Sequence, residues 1–195
     1  SRGGPGQTLG ISKPDITAPG VQILAGMTPM PATPEGGQPG QLFQAIQGTS
    51  MSSPHIAGSA AMIKDINPTW TPGQIKSAMM LTAVTDVVKE DAWTPTDAFD
   101  DGSGRVDLTR AGNSPVTMDE SIDDYFPSFY HPNLAGAVTV QRTFQNHRNS
   151  DLVFRATVDA PDDVEITVTP DSIMIPAGGE RTVEITVNGA TVPVG

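Results

Sequence analysis

A serine at position 50 stands in a local pattern that suits nucleophilic catalysis. The residues from Gly48 to His55 read Gly-Thr-Ser-Met-Ser-Ser-Pro-His. A serine hydroxyl is a poor nucleophile at neutral pH, so it needs a base to accept its proton and N–H donors to hold the oxyanion that forms. The start of a helix supplies such donors, and its dipole favours developing negative charge. Ser50 is therefore a candidate nucleophile, and its backbone N–H is a candidate oxyanion donor.

The element that must position Ser50 is predicted to be a helix from Ser52 to about Lys64. Small and apolar residues recur there at helical spacing, which favours a helix packed closely inside a core; they are Ile56, Ala57, Ala60, Ala61 and Ile63. Pro54 is tolerable only near the first turn of a helix, and Gly48 permits a close approach or unusual backbone angles. Ser50 is then expected at the mouth of this helix.

The elements around this helix have weaker signals. Residues 20–25 (Gly-Val-Gln-Ile-Leu-Ala) indicate a short buried strand. The Pro/Gly-rich run from Thr28 to Gly40 predicts a loop without regular structure. Thr71, followed by Pro72 and then Gln74, predicts the start of a second helix with a capping box.

Several large apolar residues are assigned to structural roles. Met79 and Met80 are interpreted as core filling, since methionine adapts to irregular gaps. Trp70 and Trp93 are expected to be partly buried anchors beside the helices.

The second part of the chain has a different pattern of apolar and polar residues. From about residue 116 onward apolar and polar residues alternate, with turn residues between the runs. About six short strands follow from this pattern, which indicates an antiparallel β-sandwich. The apolar runs are 138–144, 152–154, 164–168 and 183–187. We predict two domains, residues 1–114 and residues 115–195.

Composition excludes several classes of function. The 195 residues carry a net charge of −11, which disfavours binding to a phosphate backbone, so we expect no nucleic-acid partner. The chain has no cysteine, which removes disulfides, thiol catalysis and cysteine-ligated zinc. No apolar stretch approaches the length that spans a bilayer, so we expect no membrane partner.

Four segments resemble the subtilisin-like serine peptidases, in the order that family has them. Residues 48–58 resemble the signature around the family's nucleophile, and residues 13–20 (Lys-Pro-Asp-Ile-Thr-Ala-Pro-Gly) resemble the segment that precedes the nucleophile strand. Residues 67–72 and 102–107 resemble a turn between two main helices and a Gly-x-Gly turn near the end of the catalytic domain. The resemblance implies an α/β fold, here the C-terminal part of a doubly wound parallel sheet.

The resemblance extends to one branch of the family. The opening Ser1-Arg2-Gly3 resembles a segment of the plant cucumisin-like enzymes, in which a fibronectin type III-like sandwich follows the catalytic domain. Residues 124–128 and 138–143 are similar to its first strands. This agrees with the sandwich predicted from alternation.

The base that Ser50 needs is missing from the expected positions. In the family the triad Asp and His, and the Asn of the oxyanion hole, come from motifs well upstream of the nucleophile, and residues 1–49 contain no histidine. His55 belongs to the family motif, and we expect it to make a buried structural hydrogen bond. His131 and His147 are expected to be solvated in loops of the sandwich. The nucleophile elbow of an α/β-hydrolase requires Gly-x-Ser-x-Gly. Ser52 stands here where that pattern requires the second glycine, so the sequence does not fit an α/β-hydrolase.

The sequence thus predicts part of a secreted, extracellular serine endopeptidase that forms an acyl-enzyme on Ser50 and acts on proteins or peptides. The alternative is a binding or structural module with a relic serine. The expected partner is the missing N-terminal part of the same protein, and the chain alone should be inactive. Half of such a sheet exposes apolar surface, which predicts either self-association or partial disorder in residues 1–45.

Acidic residues raise the question of a metal. Asp97, Asp100 and Asp101 precede Gly102, but their spacing does not fit an EF-hand loop. We expect a solvated acidic loop and no cofactor, with calcium there as the alternative. A second acidic run, Asp119, Glu120, Asp123 and Asp124, is interpreted as a soluble linker.

Overall fold

The structure is a computed structural model that describes residues 3, 13–33, 36–118, 134 and 136–189. Some of the predictions fall outside these residues. They are the linker residues Asp119, Glu120, Asp123 and Asp124, the loop residue His131, and most of the segment 1–12.

The described elements form an α/β region followed by an antiparallel β-sandwich, as predicted. The α/β region contains β1 (Ile23–Gly26), β2 (Phe43–Ile46), α1 (Thr49–Ile66), α2 (Pro72–Leu81), α3 (Ala98–Asp101) and α4 (Leu108–Gly112). The sandwich contains β3 (Val116–Thr117), β4 (Ala137–Asn146), β5 (Leu152–Arg155), β6 (Glu165–Thr169), β7 (Ser172–Ile175) and β8 (Glu180–Asn188).

Helices α1, α2 and α4 surround the core of the first region. That core consists of Ile63, Trp70, Ile75, Ala78, Met79 and Ala111. The turn between α1 and α2 is fixed because Lys64 Nζ donates to the Trp70 carbonyl at 2.7 Å and Asn67 Nδ2 donates to the Gly112 carbonyl at 3.0 Å. The predicted capping box of α2 is present, with Thr71 accepting from Gln74 N–H and Gln74 Oε1 accepting from Thr71 N–H. The core-filling role of Met79 and Met80 is confirmed, since both are buried.

Two predictions about burial in this region are wrong. The strand placed at residues 20–25 forms as β1, but Leu24 is 71% exposed, because β1 has a single neighbouring strand in the described part and no layer covers the face that carries Leu24. Helix α1 forms, but of its residues only Ser59 and Ile63 are buried, so it is not packed inside a core. Among its described residues, the loop from Thr28 to Gly40 contains no α-helix or strand, and Gly36 has 3₁₀ geometry.

The strands of the first region are held together by short pairings. β1 and β2 pair antiparallel, with Ile23 opposite Ile46, so the described strands of this region do not form the parallel sheet that was predicted. Thr17 and Arg105 form a parallel bridge, and Arg105 also bridges antiparallel to Val84. These bridges join three segments that are far apart in sequence, and they fix the chain that leads toward Ser50.

The sandwich has the inside–outside alternation that its sequence predicts. The described strands form a four-stranded sheet in the order β3-β4-β8-β6 and a two-stranded sheet of β5 and β7. Val183 and Ile175 are buried between the sheets. On the outer face, threonine pairs bridge β4 and β8, with Thr139 bonded to Thr186 and Thr143 bonded to Thr182, both at 2.7 Å.

A polar junction joins the two regions. Ser77 Oγ on α2 accepts from Met118 N–H at 2.9 Å and lies 2.9 Å from the Met118 carbonyl oxygen, and Gln74 Nε2 donates to Gln145 Oε1 at 2.6 Å. Trp70 packs against the ring of His147 with a centroid distance of 4.8 Å. Since these contacts tie α2 to the first strands of the sandwich, the two regions share a buried boundary.

Candidate active site

Ser50 lies in the first turn of α1, the 18-residue helix Thr49–Ile66, and its side chain is exposed. Gly48 is the N-cap, with φ +143°, an angle that residues with a Cβ rarely adopt. A glycine cap supplies no side-chain acceptor. No side chain at the N-cap therefore accepts hydrogen bonds from the first N–H groups of the helix.

The open donors are those nearest to Ser50. The Gly48 carbonyl accepts from Met51 N–H at 3.0 Å and from Ser52 N–H at 3.4 Å. Within the described ranges no acceptor bonds the N–H of Thr49 or of Ser50. A helix start with free N–H groups favours an anion. The arrangement suits stabilisation of an oxyanion beside the Ser50 hydroxyl.

Gly20 fixes the start of this helix from the other side. Its carbonyl accepts from Gly48 N–H at 2.8 Å. A Cβ on Gly20 would lie 2.2 Å from Ser52 Oγ and 2.9 Å from the Gly48 carbonyl oxygen, so only glycine allows this approach. Upstream, Thr17 N–H donates to the Gly104 carbonyl at 2.9 Å, which ties the same segment to the bridge with Arg105.

Ser50 borders an open groove of about 320 Å³ between α1 and β1. Met51, Pro54 and His55 line it from the helix, and Ile23, Leu24 and Ala25 line it from the strand. An exposed hydroxyl beside an open groove is accessible to an extended substrate.

His55 is placed to support the helix rather than to act as a base. Its Nδ1 lies 2.8 Å from the Met51 carbonyl. A carbonyl only accepts, so Nδ1 carries the proton. Ser50 and His55 are five residues apart, about 140° around the helix axis, and no hydrogen bond joins their side chains in the described part. The predicted hydrogen bond is present, but its predicted burial is wrong, because His55 faces the open groove and is exposed.

His147 was expected to be solvated, and this prediction is wrong. Its ring is half-buried against Trp70, and its Nε2 lies 2.7 Å from the hydroxyl of the fully buried Thr117. Burial, reinforced by the positive charge of Arg148, lowers the pKa of His147 below its ordinary value of 6.5. The polar junction, rather than solvent, surrounds this imidazole.

The acidic loop is built into the fold, so the expectation of solvated side chains is wrong for two of its members. Asp97 caps α3, Asp100 lies 3.0 Å from Lys89 Nζ, and the buried Asp101 accepts from the Thr96 hydroxyl at 2.7 Å. The hydrogen bond to Asp100 raises the pKa of Lys89. Among the residues that the structure describes, no group of three or more His, Asp or Glu side chains is arranged to hold a metal ion.

Trp93 is 84% exposed, so its predicted partial burial is wrong. It stands at the tip of a hairpin in which Asp91 accepts hydrogen bonds from Trp93 N–H and Thr94 N–H at 3.0 and 2.9 Å. The Thr94 hydroxyl and these two N–H groups hold the pKa of Asp91 at about 2. The hairpin turns the indole away from the core. Trp70, by contrast, is 5% exposed and is buried more fully than predicted.

Comparison with known proteins connects this geometry with a family. The model of the subtilase family matches residues 1–114, and the model of a fibronectin type-III domain matches residues 125–193. The chain belongs to the subtilase family. Within this subtilase chain, the Gly20–Gly48 and Thr17–Gly104 hydrogen bonds join the segments 13–20, 48–58 and 102–107.

The curated relatives of this chain include plant proteins. The chain is 30% identical over 250 residues to subtilisin-like protease SBT1.6 of Arabidopsis thaliana, covering 100% of this chain and 32% of the relative. It is 32% identical over 219 residues to subtilisin-like protease SBT3.2 of the same plant, covering 91% of this chain and 29% of the relative. The subtilase chain therefore spans about a third of the length of the relatives that it matches.

Sequence reasoning missed two residues that the geometry makes important. Gly20 was seen as the boundary of a strand, although its place in the segment 13–20 hinted at a special backbone requirement. The burial of His147 had no local signal, because Trp70 and Thr117 come to it from distant parts of the chain.

Proposed function

We propose that Ser50 is the nucleophile of a serine endopeptidase whose catalytic domain is completed by residues upstream of this chain. Ser50 Oγ bonds to the scissile carbonyl carbon while an upstream histidine, oriented by an upstream aspartate, accepts the hydroxyl proton. The histidine then gives that proton to the leaving amine as the C–N bond breaks. Water hydrolyses the resulting acyl ester and frees Ser50.

The observation that carries this proposal is the position of Ser50 at a helix start that has no side-chain cap. The Ser50 hydroxyl is exposed beside a groove, and the adjacent backbone N–H groups have no acceptor in the described part of the chain. Those donors are suited to the negative charge of a tetrahedral intermediate. The family match over residues 1–114 and relatives named as proteases support the same chemistry.

We propose that the general base comes from residues outside this chain. His55 is tied to Met51, and His147 is tied to the junction with the sandwich. We therefore expect this chain alone to have no useful peptidase activity. The alternative, a non-catalytic binding or structural module, predicts an upstream segment without the Asp, His and Asn motifs and no labelling of Ser50 in any context.

The upstream part of the same protein is the partner that we propose for the exposed apolar surface. Leu24 and Phe43 on the β1–β2 ribbon are 71% and 61% exposed, and Met62 and Ile66 on α1 are each 61% exposed. Burial of such side chains is favourable by about 25 cal/mol per Å². Proteins or peptides are the proposed substrates, and the proposed location is extracellular. No helix in the described ranges is long and apolar enough to cross a membrane.

A fluorophosphonate probe, which reacts with activated serines, tests the nucleophile directly. The longer protein that includes the upstream residues should be labelled rapidly, and its Ser50→Ala variant should not be labelled. Ser53→Ala is the matched control, because Ser53 is also an exposed serine near the start of α1. The isolated chain should react at least about a thousandfold more slowly than the longer protein. Rapid labelling of Ser50→Ala, or of the isolated chain, would contradict the proposal.

A further inference from the structure

The hydrogen-bond ladder of α1 is interrupted at the residue proposed as nucleophile. Pro54 lies inside the helix, and proline has no N–H. The residue four positions before it is Ser50, so the Ser50 carbonyl cannot receive its ordinary helical bond from position 54. The proline ring also crowds that carbonyl. The turn that carries Ser50 is thereby left with less backbone support than a regular helix provides.

His55 supplies support to the same turn. Its Nδ1–H donates to the Met51 carbonyl at 2.8 Å, and Met51 N–H donates to the Gly48 carbonyl at 3.0 Å. Met51 is therefore held at both of its backbone groups, immediately after Ser50. His55 is exposed, and the bond to the Met51 carbonyl is the hydrogen bond that its ring makes among the described residues.

We propose that His55 is a positioning residue, whose hydrogen bond to the Met51 carbonyl holds Ser50 in place across the break that Pro54 makes. The inference rests on the proposed function of Ser50. In this role the imidazole of His55 acts as an N–H donor to a carbonyl one turn earlier and takes no part in the proton transfer.

The chain itself shows which side chains could replace that donor. Ser59 Oγ donates to the carbonyl of residue 55 at 2.7 Å, and Thr82 Oγ1 donates to the Ala78 carbonyl at 2.7 Å. A hydroxyl residue can thus bond the carbonyl four positions earlier on a helix. His55→Thr should keep the bond to the Met51 carbonyl. Valine has nearly the same shape as threonine but no hydroxyl donor, so His55→Val should lose that bond.

The test compares H55T with H55V in the longer protein that contains the upstream residues. We expect H55T to stay within about threefold of the unmodified protein in fluorophosphonate labelling and in kcat, since Met51 remains held. H55V should lose about tenfold to a hundredfold in both, with the same KM and pH profile as H55T, because Ser50 is misplaced while the base is intact and both variants lack the imidazole in the groove. Equal rates for H55T and H55V, whether both high or both low, would overturn the proposal.

A second substitution distinguishes misplacement of Ser50 from a general loss of folding. Pro54→Ala restores an N–H to the Ser50 carbonyl and strengthens the helix. In the P54A background, H55V should lower the labelling rate and kcat by less than about threefold, because the helical hydrogen bond that Pro54 interrupts is restored. An undiminished effect of H55V in that background would overturn the proposal. Activity retained by Ser50→Ala would instead overturn the proposed function, so the two failures are distinguishable.

Discussion

The most quantitative prediction concerns Ser77, which joins α2 to the strand that opens the sandwich. Ser77 Oγ accepts from Met118 N–H at 2.9 Å and lies 2.9 Å from the carbonyls of Gln74 and Met118, to one of which it donates. Ser77 and Met118 are 1% and 3% exposed. Ser77→Ala therefore leaves a buried backbone N–H that water cannot reach.

The expected loss follows from two opposed effects. Leaving a buried donor without an acceptor costs about 1–3 kcal/mol. Alanine has a higher helix propensity than serine, which returns about 0.5 kcal/mol. The free energy of unfolding should fall by roughly 0.5–2.5 kcal/mol. With a urea m-value of about 2 kcal/mol/M, the midpoint moves down by about 0.25–1.2 M.

Urea unfolding followed by tryptophan fluorescence measures this midpoint. Trp70 is buried at the junction and Trp93 is already exposed, so the signal reports mainly on Trp70. Ser59→Ala is the matched control: Ser59 is a buried helical serine whose hydroxyl donates to the His55 carbonyl, and its removal leaves no unpaired donor. Its midpoint should move by less than about 0.25 M. Equal midpoints for the two variants would show that the Met118 N–H does not depend on Ser77.

Three further predictions concern the sandwich, the junction and the exposed surface. Asn146 Nδ2 lies within 3.1 Å of the carbonyls of Ser150, Ile175 and Pro176, so Asn146→Ala should lower the free energy of unfolding by at least about 2 kcal/mol in urea titrations, and a smaller loss would contradict this role. The folded-state pKa of His147 is lowered, so its contribution to stability is present above pH 6.5 and is lost as the pH falls through the folded-state value. His147→Gln should flatten that dependence between about pH 8 and pH 5, and an unchanged slope would refute it. Light scattering of the isolated chain should show association through its exposed apolar surface, and a well-ordered monomer would contradict this expectation.

Local patterns predicted the elements whose cause is local. The capping box at Thr71 and Gln74 depends on four consecutive residues, and the alternation of β4 and β8 depends on a period of two. Both could be read from the sequence. Burial depends on what packs against an element, and the sequence of β1 or α1 does not state that. Leu24 and His55 were therefore placed in a core that the described residues do not build.

The candidate site was predictable around Ser50 for a similar reason. The glycine cap, the helix start and Pro54 lie within seven residues of one another. The contact between Gly20 and Ser52, by contrast, depends on a close approach of two segments that are 32 residues apart, which pattern reasoning could not supply. The same holds for His147, which Trp70 and Thr117 enclose from distant parts of the chain.

The nucleophile itself can be tested by one measurement, the rate of fluorophosphonate labelling in the longer protein that contains this chain. We expect rapid modification at Ser50, identified by mass spectrometry of the labelled peptide, and no modification in Ser50→Ala. Modification at another residue of the chain, or undiminished labelling of the Ser50→Ala variant, would contradict it.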